Sequence, residues 1–123
     1  MTQFAFLSAD FPDLLTHAKV AESSALSDPR GACFRARLTL ETAINWLYRN
    51  DPSLRSPYQD NLAALIAEPS LSQLTGPAIV TKARFIKNQG NRAAHDSGKP
   101  LTAQDAAATV RELFHVCYWI ART

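Results

Sequence analysis

"PAIVTKARFIKNQGNRAAH", residues 77–95, decides how the rest of the chain is read. Pro77 suits a first helical position, where the N–H it lacks would have had no intrahelical partner, and no further proline follows until Pro100. Ile79, Ala83, Ile86, Gly90 and Ala94 recur at spacings of three and four, an apolar stripe whose side chains shrink towards its C-terminal end. A glycine inside a helix costs about 1 kcal/mol against alanine, so Gly90 and Ala94 are expected to lie where another helix comes close. Arg84, Asn88, Asn91 and His95 form a second, polar stripe at i, i+4, i+7 and i+11. The segment predicts a helix packed along one face and polar along another.

Outward from it, the prolines at 12, 29, 52, 57, 69, 77 and 100 fall almost entirely between helix-like stretches. A first helix is predicted from about Asp10, as N-cap, to Leu26. A central helix runs from Asp28-Pro29 to about Asn50, with Phe34, Leu38, Ala43, Ile44 and Leu47 as its apolar stripe, widened by Leu40, Trp46 and Tyr48. A short helix is predicted from about Pro57 to Ala67, and "EPSLSQLTGP" after it reads as a loop with at most one turn of helix. The last helix opens at Thr102 with Asp105 three residues on, a capping-box variant, and its stripe is Val110, Leu113, Phe114, Cys117 and Ile120. No segment alternates like a strand over more than a few residues. The fold class predicted is therefore all-α: a compact single-domain bundle of four main helices and one short one.

Composition agrees with one domain, since 123 residues that are 46% hydrophobic and 20% charged can bury a core. Cys33 and Cys117 are too few for a disulfide framework and lie in apolar stretches, so both are expected to be buried thiols. Neither has a histidine or second thiol at ligand spacing, and no metal site is predicted. The N-terminal stretch has neither a basic start nor a long apolar run, and no segment approaches a membrane span of ~20 apolar residues. A cytoplasmic protein without a membrane partner is expected.

A net charge of +2 is too mild to demand a polyanionic partner. Yet from Lys82 to Lys99 the chain carries Lys82, Arg84, Lys87, Arg92 and Lys99 against Asp96 alone. Two readings of that edge stand side by side: a solvated basic face near a helix C-terminus, or a surface for the phosphates of DNA. Arg37 and Glu41, one turn apart on the central helix, are placed to close a buried polar network with Asn91 and His95.

"RLTLETAINWLYRND", "PYQDNL" and "IVTKARFIKNQGNRAAH" together resemble the helical N-terminal domain of type I restriction endonuclease R subunits, over about residues 4–119. The domain is also similar to the wider HEPN superfamily, whose ribonuclease members carry R-N-x-x-x-H on a helix. Here the matching residues are Gly90-Asn91-Arg92-Ala93-Ala94-His95. Asparagine and histidine match, and the arginine is replaced by glycine, which cannot supply a cation at a phosphate. Arg92 is rotated about 200° from that position round the helix. Lys87, nearly a turn earlier, is the better substitute.

What the resemblance implies is a HEPN-like accessory or docking domain with no catalysis of its own, an excised N-terminal piece of a longer restriction subunit. The parent would translocate and cleave DNA at the expense of ATP, with Mg2+, alongside modification and specificity subunits and the other domains of its chain. No phosphate-binding G-x-x-x-x-G-K-[ST] loop occurs in these residues, so the domain itself is expected to need no cofactor. The alternative is a HEPN-like ribonuclease or toxin component acting on RNA through His95, Asn91 and Lys87.

Overall fold

The computed structural model describes residues 2–95 and 99–123. After a 3-10 turn at Ala5–Leu7 come α1 (Pro12–Ser24), α2 (Pro29–Asn50), α3 (Leu62–Ala67), α4 (Pro69–Thr75), α5 (Pro77–Ala94) and α6 (Ala103–Arg122). The all-α bundle is present, with its four long helices and two short ones rather than one. α2 lies at the centre and packs against α1, α5 and α6, while α5 also packs on α6.

The long helices begin where local chemistry starts them. Asp28 accepts a hydrogen bond from the Gly31 amide at 3.0 Å and Pro29 takes the first helical position. Thr102 and Asp105 form the reciprocal capping box at the start of α6, at 3.1 and 2.9 Å. Three predicted boundaries move. α1 starts at Pro12 behind Phe11, and Asp10 does not cap it. The helix expected from Pro57 starts only at Leu62, because Asn61 takes the cap and accepts from the Ala64 amide at 2.8 Å. The stretch expected as loop folds into α4: the Glu68 carboxylate accepts from the Ser70 amide at 2.6 Å, Pro69 sits at the first helical position, and Leu71 is buried.

The core joins Phe4 and Leu7 to Leu40, Ile44, Ile86, Leu113 and Val116. A smaller cluster of Ala32, Cys33, Ala93 and Ala106 fills the end where α2, α5 and α6 meet. This end corrects the predicted stripe of α2. Ala32, Cys33 and Ala36 are buried, Leu38 is half-buried, and Phe34 is turned outward and 41% exposed. Three neighbouring helices crowd the N-terminal half of α2, and only small side chains fit between them. Both cysteines are buried free thiols. Among the described residues no helix is long and apolar enough to cross a membrane.

Candidate functional site

α5 buries Val80, Ala83, Ile86, Gln89, Gly90 and Ala93. The stripe read from sequence holds at Ala83, Ile86 and Gly90 and then departs, since Ala93 is buried and Ala94 is exposed. Packed between α2 and α6, α5 has a wider buried face than a single i+3/i+4 stripe. The close approach at Gly90 is real and has a specific cause. A Cβ at position 90 would lie 2.9 Å from Cγ and 2.5 Å from Cδ of Arg37, and closer still to its Cβ. Arg37 of α2 thus lies across the glycine.

About two turns before it on α2, Arg30 donates from Nε to the Ala93 carbonyl at 2.6 Å. This supplies a donor to a carbonyl of the last turn of α5, where a cation is also favoured by the helix dipole. Arg30 bonds α2 to α5, and Arg37 packs against it. The Nε–H of Arg37 is buried and has no acceptor among the described residues.

The polar network expected of Arg37, Glu41, Asn91 and His95 is not formed: no hydrogen bond joins their side chains among the described residues. The reason is the end of α5. His95 leaves the helix with an extended backbone (φ −116°, ψ 132°), and its only tie is from its own amide to the Asn91 carbonyl at 3.2 Å. Its side chain is exposed rather than packed.

The predicted basic edge is divided among several directions. Lys82 donates to Glu112 of α6 at 2.7 Å, so its charge is already matched. That bond is the main cause holding the Glu112 carboxyl below its usual range, with His115 adding to it. Arg92 donates to the Gln89 side chain at 2.8 Å. Arg84 and Lys99 are exposed, and Lys87 is half-buried. Asp96, the one acid counted in that stretch, lies outside the described residues. Arg30 carries no signal along the chain, and only the packing of α2 on α5 brings it to the Ala93 carbonyl. Among the described residues no three His, Cys, Asp or Glu side chains converge as metal ligands would.

Fold and site together define a small all-helical domain whose polar surface is an arginine-fastened seam between two helices. By sequence the chain belongs to the family described as Domain of unknown function (DUF4145), whose profile matches residues 19–122, from α1 to the end of α6. No curated protein and no solved structure matches it.

Proposed function

We propose that this chain is a non-catalytic accessory domain of a type I restriction endonuclease R subunit, a cytoplasmic module that docks the nuclease-motor chain to modification and specificity subunits or to its own other domains. ATP and Mg2+ would serve those other parts. One observation supports the reading above the rest: Gly90, at the position where R-N-x-x-x-H carries its arginine, is buried beneath Arg37 with no room for a side chain. His95 has no described side chain orienting its ring, and a general acid or base works only when it is held within hydrogen-bonding reach of the reacting group.

The test is cleavage. Labelled RNA and DNA incubated with the wild-type chain and with His95→Ala are expected to show the same background. RNA cleavage by the wild type that disappears in a folded His95→Ala variant overturns the accessory reading.

A second reading, a HEPN-like ribonuclease or toxin component, is favoured by one feature: His95 is exposed, and the stem of an arginine from α2, Arg37, lies over Gly90, where the motif's own arginine is missing. In that reading Arg37→Gln abolishes cleavage together with His95→Ala.

A further inference from the structure

Asn45, Tyr48 and Arg49 share one side of the last turns of α2, at i, i+3 and i+4, and they border a cavity of about 400 Å³. The chain between α2 and α3 brings Ser56, Pro57 and Asp60 to the same space, and Leu65 of α3 adds a further wall. That segment is held at both ends. Leu54 is buried, the Arg55 amide donates to the Ser70 hydroxyl at 2.9 Å, and Asn61 caps α3. Beside the cavity the Tyr48 hydroxyl donates to the Leu65 carbonyl at 2.6 Å and ties α2 to α3. Burial, and then the charge of Glu68, push this phenol up to about 12, so it keeps its proton and the tie at neutral pH. The cavity is formed by the fold itself, as small-molecule sites usually are. About 28 Å of helix axis separates Arg49 from Arg30, so it is distinct from the contact with α5.

Two opposite charges border this cavity and do not meet. The ion pairs among the described residues are those of Glu112 with Lys82 and with His115. The Arg49 guanidinium is therefore not paired with Asp60, nor with Asp10 or Asp13, with which it borders a smaller cavity of about 130 Å³. The side-chain hydrogen bonds nearby join Asp51 to Ser53, Asn61 to Gln59 and Glu68 to Ser70, and they engage none of Asn45, Arg49, Ser56 and Asp60. A purely anionic ligand would leave Asp60 facing it, and a purely cationic one Arg49. A neutral ligand would displace water from both charges and match neither. A zwitterion matches both: a carboxylate fits the guanidinium fork, an ammonium fits the carboxylate, and the Asn45 amide and Ser56 hydroxyl can donate or accept. The volume lies near the lower end of the ~300–1,000 Å³ of small-molecule sites, and Tyr48, Pro57 and Leu65 offer walls to an apolar side chain. We propose that the cavity between the end of α2 and α3 binds a free α-amino acid, with its carboxylate on Arg49 and its ammonium on Asp60. This assignment goes beyond the docking reading and does not depend on it.

The probes are the common L-amino acids, each titrated at millimolar concentration into the whole chain with amide chemical shifts as the readout. A member with an apolar side chain is expected to shift amides in residues 45–49 and 56–65. Arg49→Gln and Asp60→Asn are each expected to weaken its binding about tenfold or more, the loss of one hydrogen bond to a charged group. Asp13→Asn, at the smaller cavity, is expected to leave it unchanged. Arg49 and Asp60 are exposed, so their variants keep the fold, which the unfolding midpoint checks. Two derivatives probe the wild-type chain directly. The methyl ester of the bound amino acid is expected to bind weakly and equally to wild type and Arg49→Gln, and its N-acetyl form weakly and equally to wild type and Asp60→Asn. Shifts from no amino acid, shifts elsewhere, derivatives that bind as tightly as the parent, or affinity unchanged in both variants overturns the assignment. Acetate or inorganic phosphate bound as tightly as the amino acid, with no effect of Asp60→Asn, overturns it in favour of an anion site. A dipeptide bound more tightly than its component amino acids, and weakened by the same two variants, overturns it in favour of a short peptide.

Discussion

A methyl group at position 90 would have to share space with the stem of Arg37. Helix propensity alone favours Gly90→Ala by about 1 kcal/mol. Overpacking works in the other direction, typically by 1–3 kcal/mol, and the nearest atom is the Cβ of Arg37, which cannot swing away as the end of a flexible side chain can. Gly90→Ala is therefore expected to destabilise the domain by up to about 2 kcal/mol, the net of these opposing effects, measured by urea unfolding. His95 makes the opposite case. Had its ring been buried and bonded, removing it would have been costly; exposed at the end of α5, His95→Ala is expected to change stability by less than about 0.5 kcal/mol. A loss several times larger in the same unfolding experiment would mean that the ring is packed.

At the scale of elements, α6 shows how a helix end couples to pH. Its capping box gives the Thr102 amide and hydroxyl partners on Asp105, and the backbone hydrogen bond from Thr102 is the largest cause holding the Asp105 carboxyl below its usual range. Glu112, about two turns further along, is lowered chiefly by its bond from Lys82 on α5. Both groups bind protons more weakly folded than unfolded. The stability they contribute is complete above the unfolded carboxylate range, roughly pH 4, and is lost as pH falls through their lower folded values. Unfolding midpoints are expected to drop as pH is lowered from about 5 to 3. Thr102→Ala should cost about 1 kcal/mol at neutral pH, while Asp105→Asn and Glu112→Gln, which remove the titrating groups, should each make the acid slope shallower. An unchanged slope in both variants would assign the pH dependence to other groups.

Over the whole molecule, the crowding of α2 by three helices decides what is hidden. Cys117 sits in the main core, where burial pushes its thiol up to about 12, and Cys33 in the smaller cluster is also raised, chiefly by burial. The thiolate is the reactive form. In the folded chain at pH 8 neither cysteine is expected to react appreciably with a thiol reagent. Both should react in urea, with a midpoint that coincides with loss of helical signal, because exposing them requires separating helices that pack as one bundle. Fast native labelling at either position would mean that its end of the bundle opens locally. In the same crowded helix Phe34 stands exposed while Ala32 and Ala36 fill the interior.

The sequence by itself determined that this protein is a bundle of helices, where α2, α5 and α6 begin, that both cysteines are hidden, and that another helix passes close to Gly90. Each of these follows from interactions among residues a few positions apart: a proline at a first helical position, an Asp or Thr side chain accepting a nearby amide, a glycine that a solitary helix would disfavour. Even α4 carries such a signal, in Glu68 as cap and Pro69 after it, which the serines and the flanking turn residues outweighed. Only the tertiary structure decided that the residue lying over Gly90 is Arg37, that Phe34 faces outward, that Ala93 rather than Ala94 is buried, and that His95 leaves its helix without joining a network. Which side of a helix is hidden, and by what, depends on the number and direction of its neighbours, and no spacing within one helix carries that information.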